Sequence, residues 1–136
     1  MILLDSSAVV CAVMREPAAS RLAARIERAR AVAIGAPTLL ECGMVLLRRG
    51  VDAGRIVPGY LEAIGAEVLD FRREHASLAL GAFEKFGKGS AHRAQLNYGD
   101  CITYAYARVT ELELIYKGED FGLTDLERLF RLDEAP

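Results

Sequence analysis

The chain has 136 residues, 52% hydrophobic and 26% charged, which is the composition of one globular domain with a core of its own. Its formal net charge of −2 argues against a protein that coats nucleic acid through a global basic field, though not against local contact through a few arginines. Cys11, Cys42 and Cys101 form no CxxC pair, which argues against a cysteine zinc site or a disulfide framework.

Met1-Ile2-Leu3-Leu4-Asp5 carries no basic leader, and Ile2–Leu4 reads as a central strand buried on both faces. Asp5 follows at its carboxyl end, and Ser6 or Ser7 is expected to cap a helix starting at Ala8. Glu16-Pro17 ends that helix and opens a second, whose buried stripe is Leu22, Ile26 and Ala29. Ala31–Gly35 is β-branched and closed by glycine, the pattern of a second strand. Pro37 starts a helix through Leu47, which Arg48-Arg49-Gly50 terminates with cations and a glycine. Glu41 lies one turn into it, between Leu40 and Cys42, close to an otherwise apolar face.

Asp52 caps a fourth helix through Tyr60 to Ile64, with Pro58 near its middle weighing against continuity. Glu67–Phe71 reads as a third strand, and His75–Phe86 has helical spacing. From Gly87 to Gly99 the chain is polar, a loop of a length that is more often functional than filler. Asp100 then opens an apolar helix, Cys101 to Val109, where free backbone N–H groups and the helix dipole favour a carboxylate. Glu113–Tyr116 is a further strand with Lys117-Gly118-Glu119-Asp120-Phe121 at its carboxyl end, and Leu129–Leu132 adds an edge strand. Alternating strands and helices predict an α/β sandwich with a mostly parallel sheet, in a single domain without repeats. No apolar run approaches the length of a membrane span, and thiols in apolar stretches suit a reducing cytoplasm.

In such a sheet, ligands bind beyond the carboxyl ends of the strands. Asp5 and the Glu119-Asp120 pair follow two strands there, Asp100 begins a helix, and Glu41 leaves the helix after strand two. Taken singly, Asp5 and Asp100 read as caps, Glu41 as a helix residue and Glu119-Asp120 as a turn. Taken together they can face one crevice. Two carboxylates about 4 Å apart repel by roughly 4 kcal/mol at an effective dielectric near 20, and a hard divalent ion with oxygen ligands removes that penalty.

Asp5-Ser6-Ser7-Ala8, the helix bearing Glu41, Leu96-Asn97-Tyr98-Gly99-Asp100-Cys101 and Tyr116-Lys117-Gly118-Glu119-Asp120-Phe121 together resemble a PIN domain. More narrowly, the chain resembles the VapC-type ribonuclease toxins of toxin–antitoxin pairs, from Met1 to about Asp125. The resemblance implies a three-layer α/β/α sandwich with a mostly parallel central sheet that cleaves RNA with Mg²⁺ or Mn²⁺ bound by clustered acids. It assigns Asp5 and Asp100 as principal metal ligands, and Glu41 as a ligand or as the group orienting the attacking water. Asp120 matches the last acid of the set, with Glu119 the alternative, and Ser7 the hydroxyl that steadies Asp5. It further implies a homodimer and a VapB-like antitoxin that presents a basic side chain to the acidic pocket. Lys88, His92, Arg93 and Lys117 are candidate RNA phosphate contacts, and Tyr98 either stacks on a base or packs on the core.

Three other classes are weighed against this. A zinc hydrolase fails because His75 and His92 lack ligand spacing. A phosphoaspartyl enzyme would need a second acid beside Asp5, where the sequence has Ser6-Ser7. A non-catalytic module that holds a basic peptide in an acidic pocket is the remaining alternative.

Overall fold

The computed structural model describes residues 1–134. Its elements are β1 (Ile2–Leu4), α1 (Ser6–Val13), α2 (Ala19–Arg28), β2 (Val32–Gly35), α3 (Ala36–Arg48) and α4 (Ala53–Ala63). They continue with β3 (Ala66–Leu69), α5 (Arg73–Phe86), α6 (Tyr98–Thr110), β4 (Glu113–Tyr116), a 3₁₀ turn (Asp120–Leu123) and β5 (Leu129–Arg131). All pairings are parallel, in the order β3-β2-β1-β4-β5. The chain builds outward from β1 in one direction and then returns to build β4 and β5 on the other side. The switch point therefore lies between β1 and β4, and in sheets of this kind the ligand crevice lies there, at the strands' carboxyl ends.

Period-two alternation sorts the core into two layers. Ile2, Leu4, Ile34 and Ile115 pack with α1, α2, α3 and α4, whereas Leu3, Ala33, Leu114 and Tyr116 pack with α5 and α6. The result is the expected three-layer α/β/α sandwich. Helix α6 is buried from Cys101 through Ala107, so its position is fixed on all sides. Tyr106 on this helix lies where a Cβ at position 35 would collide with its ring, which only Gly35 avoids. Its hydroxyl donates to the carbonyls of Leu69 (3.1 Å) and Asp70 (2.9 Å).

Several boundaries differ from expectation, each for a local reason. Helix α1 starts at Ser6, because Asp5 itself is the cap and accepts from the Ser7 N–H. Helix α2 starts at Ala19 rather than at Pro17. Helix α4 runs unbroken past Pro58, whose exposure leaves the missing hydrogen bond on the water side. Asp52 makes no side-chain cap bond and instead accepts from Arg55 Nε at 3.3 Å. Strand β3 ends at Leu69 instead of Phe71, since its partner β2 ends at Gly35, opposite Leu69, and turns into α3. All three cysteines are free and buried. No described helix is long and apolar enough to cross a membrane.

Candidate active site

Asp5 is the innermost acid, 4% exposed at the carboxyl end of β1. Its own N–H donates to the Ile115 carbonyl of β4 at 3.0 Å, which pins it at the switch point. One carboxylate oxygen, Oδ2, accepts from the Ser7 N–H (3.1 Å) and the Ser7 hydroxyl (2.6 Å). The other, Oδ1, accepts from the Thr103 hydroxyl at 2.8 Å. Ser7 Oγ in turn accepts from the Lys117 N–H at 2.9 Å, which ties the chain leaving β4 to the same turn.

Asp100 enters from α6. The helix starts at Tyr98 under an Asn97 cap, and the two side chains close a reciprocal box. Asp100 N–H donates to Asn97 Oδ1 at 2.8 Å, while Asn97 N–H donates to Asp100 Oδ2 at 3.1 Å. Burial pushes the Asp100 carboxyl up to about 7, and the charges of Asp5, Asp120 and Glu41 add to the rise. The Asn97 N–H opposes it.

Glu41 lies between buried Cys42 and exposed Leu40, on the border of the apolar face of α3. A Cβ at position 99 would occupy the place of its carboxylate, so Gly99 leaves room for the Glu41 side chain to lie against the start of α6 that carries Asp100. Burial raises the Glu41 carboxyl, Ser6 lowers it through a hydrogen bond, and the Asp5 charge raises it. Asp120 opens the 3₁₀ turn after β4 at the exposed rim. Desolvation and the charges of Asp5 and Glu119 raise its carboxyl, and Lys88 counteracts them. Glu119 is exposed next to it.

The four acids thus come from four separate segments and act on one another electrostatically across one crevice. Among the described residues, no group of three acid, histidine or cysteine side chains stands ready to hold a metal ion unaided. The donor set is nonetheless all oxygen, which is the chemistry of Mg²⁺ or Mn²⁺. Mg²⁺ keeps several of its waters, so one or two carboxylates can suffice as protein ligands.

The candidate phosphate contacts divide into two kinds. Lys88 and Arg93 are exposed on the loop before α6. Lys117 is committed to Glu16 at 2.6 Å, with Arg49 on the other oxygen of that acid at 3.6 Å. His92 accepts from the Ala94 N–H through Nδ1 (3.0 Å) and sets its ring edge against Phe86, the behaviour of a loop staple. The loop itself is built rather than structureless. Gln95 accepts from Gly89 N–H and donates to the Ser90 and His92 carbonyls, and a bridge joins Gly87 to Leu96. Tyr98 is 82% exposed, which removes the option that it packs on the core. Sequence pattern missed Thr103, Ser6, Gly99 and Glu16. Only Gly99 left a signal, as a glycine inside the first turn of a helix.

Comparison with known proteins follows the same outline. The PIN domain family model matches residues 2–126. Ribonuclease VapC36 of Mycobacterium tuberculosis is 43% identical over 127 residues, covering 92% of this chain and 91% of that protein. Among solved structures, Mycobacterium tuberculosis VapC20, a sarcin-ricin loop cleaving toxin, superposes with a TM-score of 0.75 at 17% identity, covering 94% and 98% of the two chains. A toxin–antitoxin complex from Klebsiella pneumoniae gives 0.71 at 16% identity, over 99% and 100%. With its fold, its switch-point crevice and this degree of identity, the chain belongs to the PIN domain family, among its VapC-type toxins.

Proposed function

We infer that this chain is a metal-dependent endoribonuclease, the toxin of a toxin–antitoxin pair, which hydrolyses RNA phosphodiester bonds with Mg²⁺ or Mn²⁺. The observation that carries it is the meeting of acids from four segments at the switch point, with the Glu41 carboxylate against Gly99 at the start of α6 and Asp5 bonded to Thr103 of the same helix. Burial first, and the charges of Asp5, Asp120 and Glu41 after it, push the Asp100 carboxyl up to about 7. Strongly shifted acids from remote segments meeting in one crevice are a signature of function more than of stability. The ribonuclease names of relatives such as VapC36 support the same reaction class.

When bound, a divalent ion offsets the acids' repulsion and polarises a water for attack on phosphorus. Asp5 and Asp100 would hold the ion as its principal ligands. Glu41, beside Gly99, would join them as a ligand or orient the attacking water, and Asp120 would act from the rim with Glu119 as its exposed neighbour. Ser7 holds Asp5 in its rotamer. Lys88 and Arg93 draw the RNA backbone to the mouth of the crevice, while His92 braces their loop and Lys117 ties the segment after β4 to Glu16. The partners are an RNA substrate, a VapB-like antitoxin whose basic side chain enters the acidic pocket, and a second copy of the chain. Buried thiols suit a reducing cytoplasm.

The test is cleavage of structured RNA by the purified chain with Mg²⁺, against EDTA and Asp100→Asn. Cleavage lost in both controls is expected. Equal cleavage by wild type and Asp100→Asn would overturn the assignment. The binding-module alternative is separated by titrating Mn²⁺ in a calorimeter, where heat at millimolar ion is expected of the nuclease and none of the module.

A further inference from the structure

We propose that Thr103 is a positioning residue that aims Asp5 Oδ1 at the divalent cation and sets its separation from Asp100. This rests on the metal-dependent reading above.

Thr103 is 1% exposed, in the middle of the buried run of α6. A threonine there commonly turns its hydroxyl back to the carbonyl four residues earlier. Thr110 on the same helix does so, donating to the Tyr106 carbonyl at 2.7 Å. Thr103 does not. Its hydroxyl leaves the helix and donates at 2.8 Å to Asp5 Oδ1, a residue 98 positions away. The other donors recorded on the Asp5 carboxylate come from Ser7, within the same turn, so Thr103 is its tie to the rest of the site.

Helix geometry gives that tie its meaning. Residues three apart share a helix face, so Asp100 and Thr103 project from α6 side by side. By gripping Asp5, Thr103 indexes the acid of β1 to the face that carries the acid of α6. Counting lone pairs sharpens this. Each carboxylate oxygen has about two acceptor positions. Both positions on Oδ2 are taken by Ser7, whereas Oδ1 has given one to Thr103 and keeps one. The oxygen left for a cation is therefore the one whose direction Thr103 fixes. A valine would fill the same volume in this packed helix, so the hydroxyl is there for its acceptor.

Three full-length variants test it: Thr103→Val, which keeps the shape and loses the donor, Thr103→Ser, which keeps the donor, and Thr103→Ala, which substitutes for the valine variant if that one does not fold. Mn²⁺ affinity is measured by calorimetry, and melting temperature is measured without added ion. Orienting partners of metal ligands typically matter by 10- to 100-fold. Thr103→Val or Thr103→Ala is expected to weaken Mn²⁺ binding about ten-fold or more, with Thr103→Ser within about three-fold of wild type. A role in packing alone would lower the melting temperature and leave Mn²⁺ affinity intact. If wild type binds Mn²⁺ and Thr103→Val binds it equally well, the positioning role is overturned and the nuclease reading stands. If folded wild type takes up no Mn²⁺ at millimolar concentration, both are overturned.

Discussion

At the scale of single residues, the protonation of Asp100 dominates. Its folded carboxyl lies at about 7, above the ordinary value of 3.8, so the folded state holds a proton that the unfolded chain has released. Stability from this group is full below the ordinary value and is lost as pH rises through about 7. Asp100→Asn keeps an oxygen for the Asn97 N–H and has no charge to bury. Without added metal, the variant should gain melting temperature over wild type at pH 8, with the difference shrinking toward pH 4. Metal binding runs the other way, because an ion must displace that proton. Mn²⁺ affinity, measured by calorimetry, should fall about ten-fold for each pH unit below about 7. Gly99 offers a cleaner separation of site from scaffold. Alanine suits a helix better than glycine by up to about 1 kcal/mol, yet its Cβ would displace the Glu41 carboxylate. Gly99→Ala should therefore hold or raise the melting temperature while RNA cleavage drops ten-fold or more.

At the scale of elements, the loop between α5 and α6 is organised by one side chain. Gln95 bonds to Gly89, Ser90 and His92, and its own backbone takes the left-handed conformation at φ 50°. Gln95→Ala should speed amide exchange across residues 88–96 and weaken RNA binding, with little change in global melting temperature. Legibility from sequence divides along the same line. Apolar runs marked the strands, and the run Cys101 to Val109 marked α6, because burial is a local effect that one segment carries whole. The Asn97 cap, which starts the helix at Tyr98 rather than at Asp100, left no such pattern. The Gly87–Gly99 loop looked structureless because Gln95 has no periodicity to betray its bonds. Lys117 looked free for the same kind of reason, since its partner Glu16 is remote in sequence. Asp5 follows its strand as expected, and both it and the serines next to it read as caps. The pattern Asp-Ser-Ser allows either choice, and only the Ser7 N–H settles it. Thr103 was unreadable because a threonine within a helical apolar run usually answers to its own helix.

At the scale of the whole molecule, helix α3 carries the crevice on one side and an unpartnered surface on another. Leu40, Met44 and Leu47 are 65%, 49% and 61% exposed, at the i, i+4, i+7 spacing of a single stripe. Such a stripe suits the second copy proposed above. Leu40→Asp with Leu47→Asp should reduce the mass seen in sedimentation equilibrium from two chains to one. Mn²⁺ affinity should remain, since neither residue bonds to the acids. A wild-type chain that sediments as a monomer would discard this surface as the dimer contact.

The bond from Thr103 to Asp5 spans 98 positions of the chain, and this has a bearing on synthesis. A growing polypeptide makes Asp5 and its neighbour Ser7 together, but the helix that carries Thr103 follows only 98 positions after Asp5. Nascent or prematurely terminated chains thus lack an aligned first acid, whatever their amino-terminal half has folded into. The two acids of β1 and α6 are thus aligned only once every residue between them has been made, so the order of synthesis is also the order in which the crevice is assembled.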